Sequence, residues 1–263
     1  FVRAVREDPT RPGLLYATSE RTVYVSWDDG ARWQPLTLNL PVTQVADLVV
    51  EDHDLVISTH GRGFWVMRNI SVLRQLTPEV AAAPFWLFDP KDPVRGFDNN
   101  AEIHYWLKDN AQKVTLEVLD GAGKVLASYA SADSAVGTTG PNQTASKMKG
   151  SNVFRWGMRT AGWTDFEGRI FWAASPTGPA VLPGRYQVRL TVDGASQTRD
   201  FEVKMNPRAA AAGVTLADLQ ARYDLATRIL EQLVSEGSCV REEREERIVY
   251  VVTGLKPAIV EKV

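Results

Sequence analysis

The chain has 263 residues, 44% of them apolar, and a formal net charge of −2. That length allows two or three domains with buried cores, and the near balance of charge excludes the basic excess of a nucleic-acid binder. No apolar run approaches the roughly 20 residues a membrane-spanning helix needs, and the single cysteine, Cys239, has no intrachain partner for a disulfide.

The sequence opens at Phe1 inside a strand-like run, with neither Met nor a visible signal peptide. The expectation is therefore the C-terminal part of a longer protein. Residues 1–76 read as short strands separated by turns. FVRAVRED stops at Asp8-Pro9, GLLYATS follows Pro12-Gly13, and RTVYVSW runs into an Asp-Asp-Gly turn. The pattern then restarts: QVADLVVED resembles FVRAVREDP, DLVISTHG resembles GLLYATSE, and RGFWVMRN resembles RTVYVSWD. A repeat of about 45 residues with several strands per unit is the sequence sign of a β-propeller blade.

Residues 77–84, with Thr77-Pro78 and three alanines, read as a linker. Residues 85–207 form a second β region. Ile103, Tyr105 and Leu107 alternate onto one face, as do Val114, Leu116 and Val118. In GRYQVRLTV, Tyr186, Val188, Leu190 and Val192 alternate with Arg185, Gln187, Arg189 and Thr191, the pattern of a sheet with one wet face. Roughly seven or eight strands in about 120 residues predict an immunoglobulin-like sandwich. Phe154 and Trp156 alternate into its core.

Residues 213–263 read as a helical tail. Leu216, Leu219, Tyr223, Ala226, Leu230 and Leu233 fall on one helical stripe, with Thr215 and Asp218 placed to cap it. After Gly237 the charged run REEREER reads as a solvated face of a second helix, with the β-branched IVYVV keeping a strand open as the alternative. The fold class expected is thus mainly β: terminal propeller blades, an Ig-like sandwich and a C-terminal helical tail.

SWDDGARW fits the spacing Ser-x-Asp-x-Gly-x-x-Trp through Ser26, Asp28, Gly30 and Trp33. Its chemistry is that of a turn: a short carboxylate accepts backbone N–H groups of its own loop, glycine supplies a positive φ, and an aromatic ring covers the result. With PGLLYATSERTVYVSWDDGARWQPL, NLPVTQVADLVV and DLVISTHGRGFWVM around it, the region resembles the last blades of Asp-box (bacterial neuraminidase repeat) propellers. These are grouped with sortilin and with xyloglucanase-type glycoside hydrolases. Residues 85–207, through NVFRWGMR, FEGRIFW, TGPAVLPGRYQVRLTV and TRDFEVKMNPR, resemble the Ig-like domain that follows such propellers, akin to that of the flagellar hook-capping protein. The resemblance implies an exported bacterial protein, periplasmic or extracellular, with a protein or polysaccharide ligand.

The function expected is non-catalytic binding or scaffolding. The alternatives are the accessory end of a glycoside hydrolase whose catalytic blades lie upstream, and an assembly or stability factor. A glycosidase needs two carboxylates about 5–10 Å apart across the bond, and adjacent Asp28 and Asp29 diverge in a turn. No catalytic residue, cofactor or metal is assigned: His53, His60 and His104 share no ligand spacing, and Cys239 has no catalytic neighbour in sequence. The candidate binding residues are His60 and Arg62, at a strand end in THGRGFW, and Trp163 in AGWTD. Oligomeric state is not legible.

Overall fold

The computed structural model describes residues 1–132, 143–161, 163–164, 178–235, 240–244 and 247–251. The protein is mainly β, built from several antiparallel sheets. It divides into two compact units, Phe1–Pro78 and Glu79–Val263.

The first unit holds two sheets. β1 (Val2–Glu7), β2 (Leu15–Ser19), β3 (Val23–Ser26) and β4 (Gln34–Pro35) form an antiparallel meander. β5 (Val45–Glu51), β6 (Asp54–Thr59) and β7 (Phe64–Met67) form the second. Alternation sends Tyr16, Val23 and Val25 from one sheet, and Leu48, Leu55 and Ile57 from the other, into a single apolar core. A short helix, α1 (Ser71–Gln75), follows β7 and adds Leu73 to that core. Arg6 of β1 and Asp47 of β5 form an exposed ion pair at 3.0 Å.

A five-residue helix, α2 (Pro78–Ala82), occupies most of the stretch read as a linker. In the second unit, β8 (Phe85–Leu87) and β9 (Ala101–Leu107) lead to the hairpin β10 (Val114–Asp120) and β11 (Val125–Ala130). β12 (Gly150–Trp156), β13 (Trp163–Thr164), β14 (Gly184–Val192) and β15 (Ala195–Val203) follow. One sheet has the order β11-β10-β14-β15 and another β12-β9-β8. Their apolar faces share one core, in which Ile103, Leu116, Trp156, Val188 and Leu190 are fully buried. Rings join the two sheets: Phe154 of β12 lies 4.7 Å from Tyr129 of β11, centroid to centroid.

The C-terminal stretch departs from an all-helical tail. After α3 (Pro207–Ala211), α4 (Leu216–Ser235) forms as its stripe predicts. Thr215 and Asp218 cap it reciprocally: Asp218 Oδ2 accepts from Thr215 N at 2.8 Å, and Thr215 Oγ1 accepts from Asp218 N at 3.2 Å. Beyond it, however, β16 (Val240–Arg244) and β17 (Arg247–Val251) pair as an antiparallel hairpin, and β13 lies parallel to β17. The expected second helix is corrected to strands. The run Ile248-Val249-Tyr250-Val251 is β-branched or aromatic, and such residues lose χ1 freedom in a helix but suit a pleated strand.

Candidate functional site

The Ser26–Trp33 segment is built as a turn. Ser26, fully buried at the end of β3, donates its hydroxyl to Asp28 Oδ1 at 2.9 Å and accepts from Gly30 N at 3.0 Å. Asp28 Oδ1 also accepts from Arg32 N at 2.8 Å. These donors, the Arg32 amide first and the Ser26 hydroxyl second, hold the Asp28 carboxyl below the usual carboxylate range. Gly30 adopts a φ of +84°, and a Cβ there would meet a ring carbon of Trp33 at 3.6 Å. The Trp33 ring therefore lies over the glycine. Asp29 donates its amide to Gly13 O at 3.0 Å, which ties the turn to the loop before β2. The other indole, Trp27, points elsewhere: its Nε1 donates to Leu73 O of α1 at 2.8 Å. The two adjacent carboxylates thus do not face each other across an aromatic cleft. Asp28 is engaged by its own loop.

A second polar cluster in this unit was not read from sequence. Asp8, which follows β1 and has a fully buried side chain, meets Arg74 Nε at 2.9 Å. Its Oδ1 accepts from Thr10 N, Thr10 Oγ1 and Arg11 N at 2.9, 2.8 and 3.1 Å. Burial alone would raise the Asp8 carboxyl, but the Arg74, Thr10 and Arg11 donors outweigh it and leave it below its ordinary value. Burial pushes the neighbouring Tyr16 hydroxyl well above the usual phenol range. Arg74 also donates to Asp52 O and faces His53 Nδ1 at 3.3 Å. Arg11 donates to Leu73 O and Arg74 O at 2.9 Å each. Every oxygen of the Asp8 carboxylate is engaged, so the cluster locks α1 onto the loops rather than presenting a free acid. The Asp8-Pro9 strand stop was the only signal for it.

His60 and Arg62 both lie in the β6–β7 loop and are exposed. His60 N donates to Gln44 O at 2.9 Å, and Arg62 O accepts from Trp65 Nε1 at 3.1 Å. The loop is thus anchored through backbone groups, and both side chains extend to solvent. Trp163 lies in β13, opposite Tyr250 of β17; its side chain and the aromatics Phe166, Phe171 and Trp172 fall outside the described residues. Among the described residues no three His, Cys, Asp or Glu side chains converge as metal ligands would. Among those residues, too, no helix is long and apolar enough to cross a membrane.

The largest unexplained feature of the first unit is apolar surface. On β5-β6-β7, the row Val49–Val56–Val66 runs across the face opposite the core. Val49 and Val66 are each 51% exposed, and Phe64 on the same face is 81% exposed. On the first sheet the row Val5–Ala17–Tyr24–Pro35 likewise lies opposite the core, with Val5 and Pro35 exposed. Compared with known proteins, the chain matches no protein-family model and no curated protein.

Proposed function

We propose that residues 1–76 are neighbouring blades of a larger Asp-box β-propeller and that residues 85–207 are an Ig-like sandwich. On this reading the chain is a non-catalytic binding or scaffolding segment of an exported bacterial protein, with a protein or polysaccharide ligand. Support for the blades comes from one relationship. Val23 and Val25 of β3 turn their backbone groups towards β4 and their side chains into the core shared with the second sheet. Phe64 and Val66 of β7 occupy the same phase in the second sheet, and on the face they share with Val49 all three side chains are exposed. The second sheet thus presents outwards the same face that the first sheet buries. A stack of such sheets continuing at either end accounts for the exposure of Val5 on the first and of Val49, Phe64 and Val66 on the second, which otherwise leave apolar surface in water at about 25 cal/mol per Å². The β11-β10-β14-β15 and β12-β9-β8 orders around one core support the sandwich. The engagement of Asp8 and Asp28 by donors supports a non-catalytic role.

The test compares Val56→Lys in residues 1–263 with the same change in the natural gene product. The expected outcome is little loss for residues 1–263 and a loss of several kcal/mol, about the cost of burying an unpaired charge, where a neighbouring sheet covers the row. Equal small effects in both overturn the stack. A polysaccharide binding and hydrolysis screen runs alongside, and turnover by residues 1–263 alone overturns the non-catalytic reading.

A further inference from the structure

The outward face of β14 and β15 closes rung by rung. Thr191 Oγ1 and Ser196 Oγ share a hydrogen bond at 2.8 Å, and the Gln187 amide donates to Asp200 Oδ1 at 2.7 Å. Between these rungs Arg189 reaches sideways, and its Nε donates to Glu117 of β10 at 2.7 Å. The last rung does not close. Arg185 and Glu202 are cross-strand partners of opposite charge, an arrangement that ordinarily pairs. Yet among the described residues neither side chain forms a hydrogen bond or an ion pair.

Both side chains instead line a cavity of about 460 Å³, together with Asp92, Gly121, Gln187 and Asp200. That volume falls in the ordinary range of small-molecule sites, about 300–1,000 Å³. Its walls are tied down. Asp92 Oδ1 accepts from Glu202 N at 2.8 Å, and Asp92 Oδ2 meets Lys204 Nζ at 3.0 Å. On the other side a Cβ at Gly121 would meet Arg185 O at 3.5 Å. The groups left over decide what fits. Arg185 offers donors only, and Glu202 offers both carboxylate oxygens. Gln187 and Asp200, bonded to each other, keep an amide carbonyl and a second carboxylate oxygen.

We infer that this cavity binds a neutral saccharide through its hydroxyl groups. A hydroxyl donates one hydrogen bond and accepts others, so neighbouring hydroxyls of a sugar match a space that holds both donors and acceptors. Arg185 donates to one hydroxyl, and Glu202 and Asp200 accept from those beside it. Bonds of this kind, with one partner ionised, are the stronger ones. Carboxylates outnumber cations around the cavity, with Asp92, Asp200 and Glu202 against Arg185 and the Lys204 already held by Asp92. That balance disfavours an acidic sugar or an inorganic anion. A metal ion would sit beside the Arg185 charge, and among the described residues no three acidic, His or Cys side chains converge to hold one. The inference rests on the binding role proposed above, and gives that role a ligand class and a place in the second unit.

The test applies residues 1–263 to an array of neutral and acidic glycans, with calorimetry on the best-bound oligosaccharide. A neutral glycan is expected to bind. Arg185→Met and Glu202→Gln are each expected to weaken that binding at least about tenfold, the scale of a hydrogen bond to a charged group. Thr191→Val, on the same face but outside the cavity, is expected to bind as the parent does. In the unsubstituted protein the Gln187 side-chain amide resonances are expected to shift as the oligosaccharide is added, a readout that needs no variant to fold. Binding of acidic glycans only, or unmoved Gln187 resonances, overturns the inference. So does displacement of the sugar by free glycine, which would assign the Arg185–Glu202 rung to the carboxylate and ammonium of an amino acid. If a glycan binds and folded Arg185→Met and Glu202→Gln bind it equally well, this site falls while the binding role stands. If no glycan binds, the saccharide assignment falls, and the stack of sheets is still decided by Val56→Lys.

Discussion

Asp8 and Arg74 lie 66 residues apart in sequence, yet the Arg74 guanidinium donates to the Asp8 carboxylate at 2.9 Å in a site where the Asp8 side chain is fully buried. The pair joins the end of the first strand to the helix that closes the first unit. Removing one partner strands the other's charge out of water. Asp8→Ala is therefore expected to cost about 3–5 kcal/mol, the range for breaking a buried pair. The double variant Asp8→Leu/Arg74→Met leaves no orphan charge but takes the acceptor from the Thr10 and Arg11 amides, and is expected to recover only part of that loss. Urea denaturation of the single and double variants measures both, and a single-variant loss below about 1 kcal/mol would show that solvent relieves the site.

The same pair sets an acid dependence. Burial opposes ionisation of Asp8, but the Arg74, Thr10 and Arg11 donors outweigh it, so its folded pKa lies below the ordinary 3.8. A depressed folded pKa adds stability that is fully present above the unfolded value and is lost as pH falls through the folded one. Asp28 and Asp218 are lowered too and act with the same sign. The urea midpoint is thus expected to hold steady near neutrality and to fall below about pH 4. Asp8→Asn, which starts less stable, is expected to show a shallower fall. Equal slopes for the two proteins would remove Asp8 from the acid transition.

Ser26 is the hinge of the turn that follows β3. Its buried hydroxyl accepts from Gly30 N and donates to Asp28. Ser26→Ala leaves the Gly30 amide without that acceptor, and is expected to cost about 1–3 kcal/mol, the desolvation cost of an unsatisfied donor. Asp28 is more exposed, so Asp28→Ala is expected to cost less than Ser26→Ala. Because the two side chains bond each other, their effects should not add in a double-mutant cycle. Additive losses would mean that the two groups hold the turn independently.

Much of the second unit was legible because alternation is a local signal. Tyr186, Val188, Leu190 and Val192 are all buried, and Ile103, Tyr105 and Leu107 behave likewise. The start of α4 was legible for the same reason, since Thr215 and Asp218 cap it within one turn. The Asp8–Arg74 cluster was not, because only tertiary packing brings those residues together. β16 was misread because Arg and Glu suit a solvated helix face, while the pairing that makes it a strand comes from its neighbour β17. The phase of β7 lay hidden for a further reason: the repeat shows which strands match, but which way Phe64 and Val66 turn depends on the Thr59–Gly63 hydrogen bond across a loop.

Trp156 offers the sharpest test of the second unit's core. Its ring is fully buried on β12, with centroids 6.1 Å from both Tyr186 of β14 and Phe201 of β15. Its indole N–H donates to Arg159 O at 2.9 Å. The side chain thus joins the three-stranded sheet to the four-stranded one and satisfies its own polar atom. Trp156→Ala is expected to cost about 3–5 kcal/mol through lost burial and the cavity left behind. Trp156→Phe keeps most of the ring contact but loses the N–H bond, and is expected to cost less, on the order of 1–3 kcal/mol. Chemical denaturation followed by near-ultraviolet circular dichroism separates the two, since the aromatic cluster around Trp156 dominates packing there. If Phe costs as much as Ala, the local hydrogen bond from the indole to Arg159 O contributes more than the ring's packing between the sheets does.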